Sequence, residues 1–79
     1  MNIKRLAEMR IDNDYKQQYI AMYLNTTQQQ YSKYELGIRT IPIELLSKLA
    51  DLYNVSIDYL LSRTDVKAPY PKKNKEIQR

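Results

Sequence analysis

The sequence predicts an all-α fold, a compact domain of five short helices. Apolar residues recur at the three- and four-residue spacing of a helix face in five separate segments. The single glycine and the three prolines lie outside those segments, where turns are expected. A chain of 79 residues has room for one hydrophobic core, so we expect a single domain, in residues 1–65.

The first two predicted helices are short and amphipathic. The first lies near residues 3–9 and the second near residues 17–24. A polar turn at residues 12–14 follows the first helix, and residues 25–26 end the second. The apolar faces consist of Ile3, Leu6 and Met9 in the first helix, and of Ile20, Ala21 and Leu24 in the second.

The third predicted helix has a clear beginning and end. Thr27 is a good N-cap residue, and Gly37 can take the left-handed conformation that ends a helix. The spacing Thr27-x-x-Gln30 matches a capping box, in which each side chain bonds a backbone N–H of the first turn. Tyr31 and Tyr34 fall on the side of Thr27 and are predicted to join the core. The opposite face is predicted to be entirely polar, with Gln28, Gln29, Ser32 and Lys33.

The fourth predicted helix, at about residues 43–53, has the strongest apolar stripe. Asn54 suits the C-cap of this helix, and Ser56 suits the N-cap of a short fifth helix at residues 57–61. The apolar residues are Ile43, Leu46, Leu49, Ala50 and Tyr53 in the fourth helix, and Leu60 and Leu61 in the fifth.

Charge is unevenly distributed along the chain. Residues 1–65 carry eight basic and eight acidic side chains, whereas residues 66–79 carry five basic side chains and one acidic one. The segment 66–79 has few apolar residues and no periodicity, so we predict a basic tail that is flexible or loosely docked. This tail is either merely solvated or adds nonspecific affinity for DNA. Residues 15–34 contain two lysines and no acidic residue, which gives the domain a weakly positive middle suited to approaching a polyanion.

Composition argues against several classes of function. The chain has no cysteine and no histidine, which removes disulfides and the commonest metal ligands and general base. Carboxylates occur singly on polar faces, and no nucleophile has a base at a suitable spacing, so we predict no enzyme activity, no cofactor and no metal. No apolar run approaches the roughly 20 residues of a membrane span, and the charged first residues are unlike a signal peptide. We therefore expect a cytoplasmic protein without a membrane partner or a small-molecule ligand.

The second and third helices have the form of a helix-turn-helix. A four-residue break separates them, and the third helix has one apolar and one polar face. Ala21 is small enough to let the third helix cross the second closely, and a larger residue there is expected to displace it. Three stretches extend this pattern: Gln17-x-x-Ile20-Ala21-x-x-Leu24, Ser32-Lys33-Tyr34-Glu35-x-Gly37, and Leu49-Ala50-Asp51-x-Tyr53-Asn54-Val55-Ser56-Ile57-Asp58-Tyr59-Leu60-Leu61.

Through these stretches, residues 3–65 resemble the lambda-repressor and Cro-like helix-turn-helix proteins, also called the xenobiotic-response-element family. The resemblance implies a sequence-specific regulator that binds double-stranded DNA with helices two and three. The base-reading positions would be Gln28, Gln29, Lys33 and Ser32, because glutamine can pair with adenine and lysine with guanine. The DNA backbone would be contacted by Gln17, Lys16, Asn25, Thr27 and Arg39, and Arg10 and Glu35 would form a structural pair.

From this resemblance we expect a repressor that binds a palindromic operator as a homodimer. Leu45 and Leu52 lie on the side of the fourth helix away from its main stripe, and together with Tyr59 they are a candidate dimer seam. Two alternatives remain open from the sequence. One is the antitoxin of a toxin–antitoxin pair, in which residues 66–79 grip a toxin. The other is a protein-interaction module that keeps the fold without reading DNA.

Overall fold

The computed structural model describes residues 2–69 and residue 71, and within these it contains only helices, turns and loops. The five helices are α1 (Lys4–Asp12), α2 (Gln17–Tyr23), α3 (Gln28–Leu36), α4 (Ile43–Tyr53) and α5 (Ile57–Leu60). The predicted all-α, five-helix fold is therefore confirmed. Over the same residues, none of these helices has the length and apolar character needed to cross a lipid bilayer.

A single core gathers the apolar faces of all five helices, as the helical spacing predicted. Two of its members, Ile41 and Val55, come from the loops on either side of α4. Ile43 was predicted to lie in the core but is 60% exposed, because it is the first residue of α4 and Ile41 is buried just before it. The buried apolar residues are Leu6, Met9, Ile20, Ala21, Leu24, Tyr31, Tyr34, Ile41, Leu46, Leu49, Ala50, Tyr53, Val55 and Leu60.

The first helix runs three residues further than the sequence predicted. Asp12, which we had assigned to the turn, is the last residue of α1. The side-chain nitrogen of Asn13 donates to the carbonyl of Met9 at 2.7 Å, and Asp14 takes a left-handed conformation with φ of 60°. Because aspartate accepts this conformation more readily than most residues, the chain can turn at Asp14.

Both ends of α3 are fixed by local chemistry. The Thr27 hydroxyl oxygen accepts a hydrogen bond from the backbone N–H of Gln30 at 3.1 Å, and Gly37 ends the helix with φ of 76°. Only this half of the predicted capping box is formed. The Gln30 side chain reaches along the helix instead, where its amide nitrogen donates to the Tyr34 hydroxyl at 3.2 Å. The Gln30 side chain therefore bonds Tyr34, whereas a full capping box would require a bond to the backbone N–H of Thr27.

The turn between α4 and α5 also holds the beginning of the predicted tail. Asn54 is left-handed, with φ of 56°, and the hydroxyl oxygen of Ser56 caps α5 by accepting from the Tyr59 N–H at 2.9 Å. The Ser56 N–H donates to the carbonyl of Lys67 at 2.9 Å, which gives this buried donor a partner. The first residues of the predicted tail are therefore attached to the domain. Residues 70 and 72–79 of that tail lie outside the described part of the chain.

Arg5 joins the two ends of the domain. Its guanidinium donates to the carbonyls of Tyr59, at 3.0 Å, and Thr64, at 2.7 Å, and pairs with the Asp65 carboxylate at 2.6 Å. The same group lies 3.9 Å from the centre of the Tyr59 ring, as in a cation–π contact. No local pattern in the sequence indicates this network, because Arg5 and its backbone partners are more than 50 positions apart.

The candidate dimer seam is partly covered within the monomer. Leu45, Leu52 and Tyr59 are each half-buried and pack against the core. Each therefore keeps some surface that a second molecule could contact, and the seam stays a prediction.

Replacing Ala21 with leucine is expected to destabilise the packing of α2 on α3. Ala21 is buried, so the larger side chain must displace its neighbours, at a cost of about 1–3 kcal/mol in the free energy of unfolding. Urea denaturation measures this cost. Met22→Leu is the matched control, since Met22 is exposed on the same helix and its replacement should change stability by less than about 0.5 kcal/mol. Equal stability of Ala21→Leu and the unmodified chain would contradict close packing here.

Candidate nucleic-acid interface

A tight turn sets α3 against α2. Four residues, 24–27, separate the two helices. Leu24 is buried beneath the turn, Asn25 takes a left-handed conformation with φ of 59°, and the Thr26 N–H donates to the Ala21 carbonyl at 2.9 Å. The turn is thus anchored by one apolar side chain and one backbone hydrogen bond, and it directs the chain from α2 into α3.

The inner face of α3 is formed by two tyrosines. Tyr31 and Tyr34 are both buried, and their rings meet nearly edge to face, with centroids 6.5 Å apart and an interplanar angle of 82°. This contact fixes the rotation of α3 about its own axis. The outer face then carries Gln28, Gln29 and Lys33 as exposed side chains and Ser32 as a half-exposed one.

The outer face of α3 forms one side of an open groove. Gln28, Gln29, Ser32 and Lys33 line it together with Gln17, the first residue of α2. Two apolar side chains, Leu36 and Ile38, complete the lining. The structure therefore brings the four predicted base-reading residues and one predicted backbone-contacting residue to a single surface.

The sequence predicts an entirely polar outer face for α3, and this prediction is wrong at one residue of the helix. Leu36 is 69% exposed and follows Gln29 and Lys33 at positions i+7 and i+3, so it shares their side of the helix. The same helical spacing could have identified Leu36 beforehand. Ile38 is 66% exposed and lies beyond Gly37, where the helical period no longer applies.

An ion pair with little solvent exposure lies next to the groove residue Gln17. The Arg10 guanidinium binds the Glu35 carboxylate through two hydrogen bonds, Nε to Oε2 at 2.7 Å and Nη2 to Oε1 at 3.1 Å. Arg10 also donates to the carbonyl of Tyr15 at 3.0 Å, and the Gln17 amide nitrogen donates to Glu35 Oε1 at 3.0 Å. The cluster links α1, α2 and α3. It also engages one N–H of the Gln17 side-chain amide within the protein, which leaves the second N–H and the amide oxygen able to face a ligand.

The surroundings keep both members of this pair charged. Burial by itself would raise the pKa of Glu35, but hydrogen bonds from Arg10 and Gln17 and the adjacent Tyr31 hydroxyl outweigh it, so the pKa lies below its usual range. The hydrogen bond to Glu35 raises the pKa of Arg10. Burial is also the main reason why the pKa of Tyr31 is raised. The Tyr31 hydroxyl lies beside the carboxylate but does not reach the geometry of a full hydrogen bond.

The other predicted backbone-contacting residues lie next to the groove residues along the chain. Lys16 precedes Gln17, Asn25 and Thr27 precede the start of α3, and Arg39 follows Ile38. All four are exposed. Two of the four, Lys16 and Arg39, are positively charged, and they lie at opposite ends of the helix-turn-helix along the chain.

Known proteins are similar to this chain over the segment that contains these helices. Residues 6–60 match the family model described as helix-turn-helix. The chain is 38% identical over 71 residues, 90% of its length, to the HTH-type transcriptional regulator AnsR of Bacillus subtilis strain 168, and covers 61% of that protein. It is 43% identical over 63 residues, 80% of its length, to the HTH-type transcriptional regulator ImmR of the same strain, and covers 50% of it. The SPbeta prophage-derived uncharacterized HTH-type transcriptional regulator YonR, also of that strain, is 39% identical over 61 residues, 77% of the chain and 56% of that protein. The chain thus spans between half and about three-fifths of the length of these relatives.

Proposed function

This chain belongs to the lambda-repressor-like helix-turn-helix family of transcriptional regulators, and we propose that it is a repressor that binds a palindromic DNA operator as a homodimer. The observation that carries the proposal is the orientation of α3. Two buried tyrosines hold the helix against the core, and four polar side chains on its outer face are left free to meet DNA.

The outer face of α3 fits the major groove in size and chemistry. An α-helix with its side chains is roughly 10–12 Å across, which matches the roughly 12 Å width of the groove. Gln28 and Gln29 can each pair with the N6 and N7 positions of adenine, Lys33 can donate to guanine, and Ser32 can bond either base type. These contacts would supply sequence preference.

Contacts to the DNA backbone would set the position of the protein on the duplex. Lys16 and Arg39 would neutralise phosphates near opposite ends of the helix-turn-helix, and Gln17, Asn25 and Thr27 would add neutral hydrogen bonds. Phosphate contacts of this kind carry affinity but little sequence information, and they weaken as the salt concentration rises.

Pairing of two copies would explain a palindromic site. In a two-fold symmetric dimer the two α3 helices would lie roughly 34 Å apart, one turn of DNA, and each would read one half-site. The half-buried side chains of Leu45, Leu52 and Tyr59 are the surface that we propose for the pairing. Repression would follow because the bound dimer blocks access of the polymerase to the promoter.

Gln28→Ala and Gln29→Ala test base reading directly. Each is expected to lose about 1–3 kcal/mol of binding free energy on operator DNA, because a bidentate contact to a base disappears, while binding to random DNA changes little. Both side chains are exposed, so the free energy of unfolding should stay unchanged. Fluorescence anisotropy at a fixed salt concentration measures both affinities, on an operator located by footprinting the promoter region of the protein's own gene.

Arg39→Ala is the matched control, because it removes a phosphate contact instead of a base contact. It should weaken operator and random DNA alike and reduce the dependence of the logarithm of affinity on the logarithm of salt concentration by about one unit. Equal losses on both DNAs for the glutamine variants would contradict the base-reading role. A chain with no salt-dependent affinity for any duplex would be a protein-interaction module instead.

A further inference from the structure

The C-terminal end of the outer face of α3 carries a pair of exposed apolar side chains. Leu36 and Ile38 are among the most exposed large hydrophobic residues in the described part of the chain, at 69% and 66%. A single exposed apolar residue is common on a protein surface. Here, however, two such residues line one groove together with the polar residues of α3, so a ligand that occupies the groove meets both kinds of side chain.

The charges around the groove favour a polyanion as that ligand. Lys33 lines the groove, and Arg39 directly follows Ile38. Among the residues that line the groove, none is acidic. The nearest carboxylate along α3, that of Glu35, is turned inward and neutralised by Arg10. A DNA duplex fits both features of the groove. Its phosphates complement the positive charges, and apolar groups in its major groove can contact Leu36 and Ile38.

We propose that Leu36 and Ile38 bind the 5-methyl groups of thymines in the major groove, so that this apolar pair adds thymine selectivity to the glutamine and lysine contacts. The inference rests on the proposed DNA binding and names a base contact beyond it. The methyl group at C5 is the apolar feature by which thymine differs from the other bases in the major groove. Leu36 lies seven residues beyond Gln29, roughly 10 Å along the helix, and therefore reaches a base pair other than the one read by Gln29.

Replacement of single thymines by deoxyuridine provides the test, because it removes only the 5-methyl group. Duplexes that the full chain binds are first selected from a randomised pool. Each thymine of the selected site is then replaced in turn, and the affinities of the unmodified chain, Leu36→Ala, Ile38→Ala and Ile11→Ala are measured at one salt concentration. Ile11 is the control, since it is 59% exposed at the end of α1 and does not line the groove.

Loss of one buried methyl group should weaken binding of the unmodified chain by about fourfold at one or more thymines. The same replacement should change the affinity of Leu36→Ala or Ile38→Ala by less than twofold, while Ile11→Ala keeps the fourfold loss. The inference is overturned if every deoxyuridine duplex binds as tightly as its thymine parent. It is also overturned if the change from thymine to deoxyuridine weakens binding by the same factor for the unmodified chain and for all three variants. A third contrary result is that Leu36→Ala leaves DNA binding unchanged and alters only the sedimentation of the chain without DNA, which would assign Leu36 to contact between copies of the chain. Failure to select any sequence would instead refute the proposed function itself.

Discussion

Glu35→Ala is expected to lower the free energy of unfolding by about 3–5 kcal/mol, the range for breaking a buried ion pair by removing one partner. The Arg10 and Glu35 side chains are only 15% and 6% exposed. Without the carboxylate, the Arg10 guanidinium and the Gln17 amide nitrogen both lose the acceptor that they share. Urea denaturation at neutral pH measures the loss, and a decrease of less than about 1 kcal/mol would contradict it.

Two comparisons isolate the cause. Glu8→Ala removes an exposed pair, in which Lys4 and Glu8 are 78% and 48% exposed and 3.7 Å apart, and should cost less than about 1 kcal/mol. The double replacement Arg10→Met with Glu35→Leu leaves no uncompensated charge. It should recover most of the stability that Glu35→Ala loses, because apolar side chains of similar size can replace a buried pair at little cost.

The pH dependence of stability follows from the same pair. The pKa of Glu35 is lowered on folding, so its contribution is complete above the ordinary glutamate value of 4.5 and is lost as the pH falls through the lower folded-state value. The unmodified chain should therefore lose stability on acidification. Glu35→Ala should show a shallower loss over the same interval, and identical pH profiles would show that other carboxylates account for the acid sensitivity.

Tyr31→Ala is the second large effect that we expect, with a loss of about 3–5 kcal/mol in the free energy of unfolding. The Tyr31 side chain is fully buried, and its ring and that of Tyr34 meet nearly edge to face on the inner face of α3. Removing the ring leaves a cavity under the helix that carries the proposed base-reading side chains. Operator affinity should therefore fall together with stability, although no residue on the outer face has changed.

Tyr31→Phe separates the ring from its hydroxyl. Because the hydroxyl makes no full hydrogen bond, phenylalanine should keep the stability within about 1 kcal/mol and leave the operator affinity unchanged. Tyr19→Ala is the control for loss of an aromatic ring, since Tyr19 is exposed and stacks on Tyr15 with centroids 4.8 Å apart. A Tyr31→Ala variant as stable as Tyr19→Ala would refute the role assigned to the buried ring.

Features that depend on neighbouring residues could be predicted from the sequence. Thr27 and Ser56 cap the helices that follow them, and Gly37 ends α3, because each of these roles needs only the chemistry of one side chain and a few backbone groups. Tyr31 and Tyr34 could be assigned to the core because a helix repeats every 3.6 residues. The helix-turn-helix, the orientation of α3 and the family were therefore accessible before any coordinates.

Features that depend on three-dimensional neighbours could not be predicted in this way. Gln30 had two partners within reach, the N–H of the helix start and the Tyr34 hydroxyl, and the sequence does not rank them. Ile41 lies in the core from a loop, where no periodicity marks it. The bond from Gln17 to Glu35 spans 18 positions, so the engagement of a predicted DNA-contacting side chain within the protein became visible only in the structure. Leu36 is different, since helical spacing alone would have placed it beside Lys33.

Hydrogen bonds from Arg5 to the carbonyls of Tyr59 and Thr64 join the first turn of α1 to α5 and the loop after it. Both segments depend on the same side chain, so we expect the opening of one to destabilise the other. Thermal opening at one terminus must release the opposite terminus, and the two ends of the domain are expected to melt as one cooperative unit.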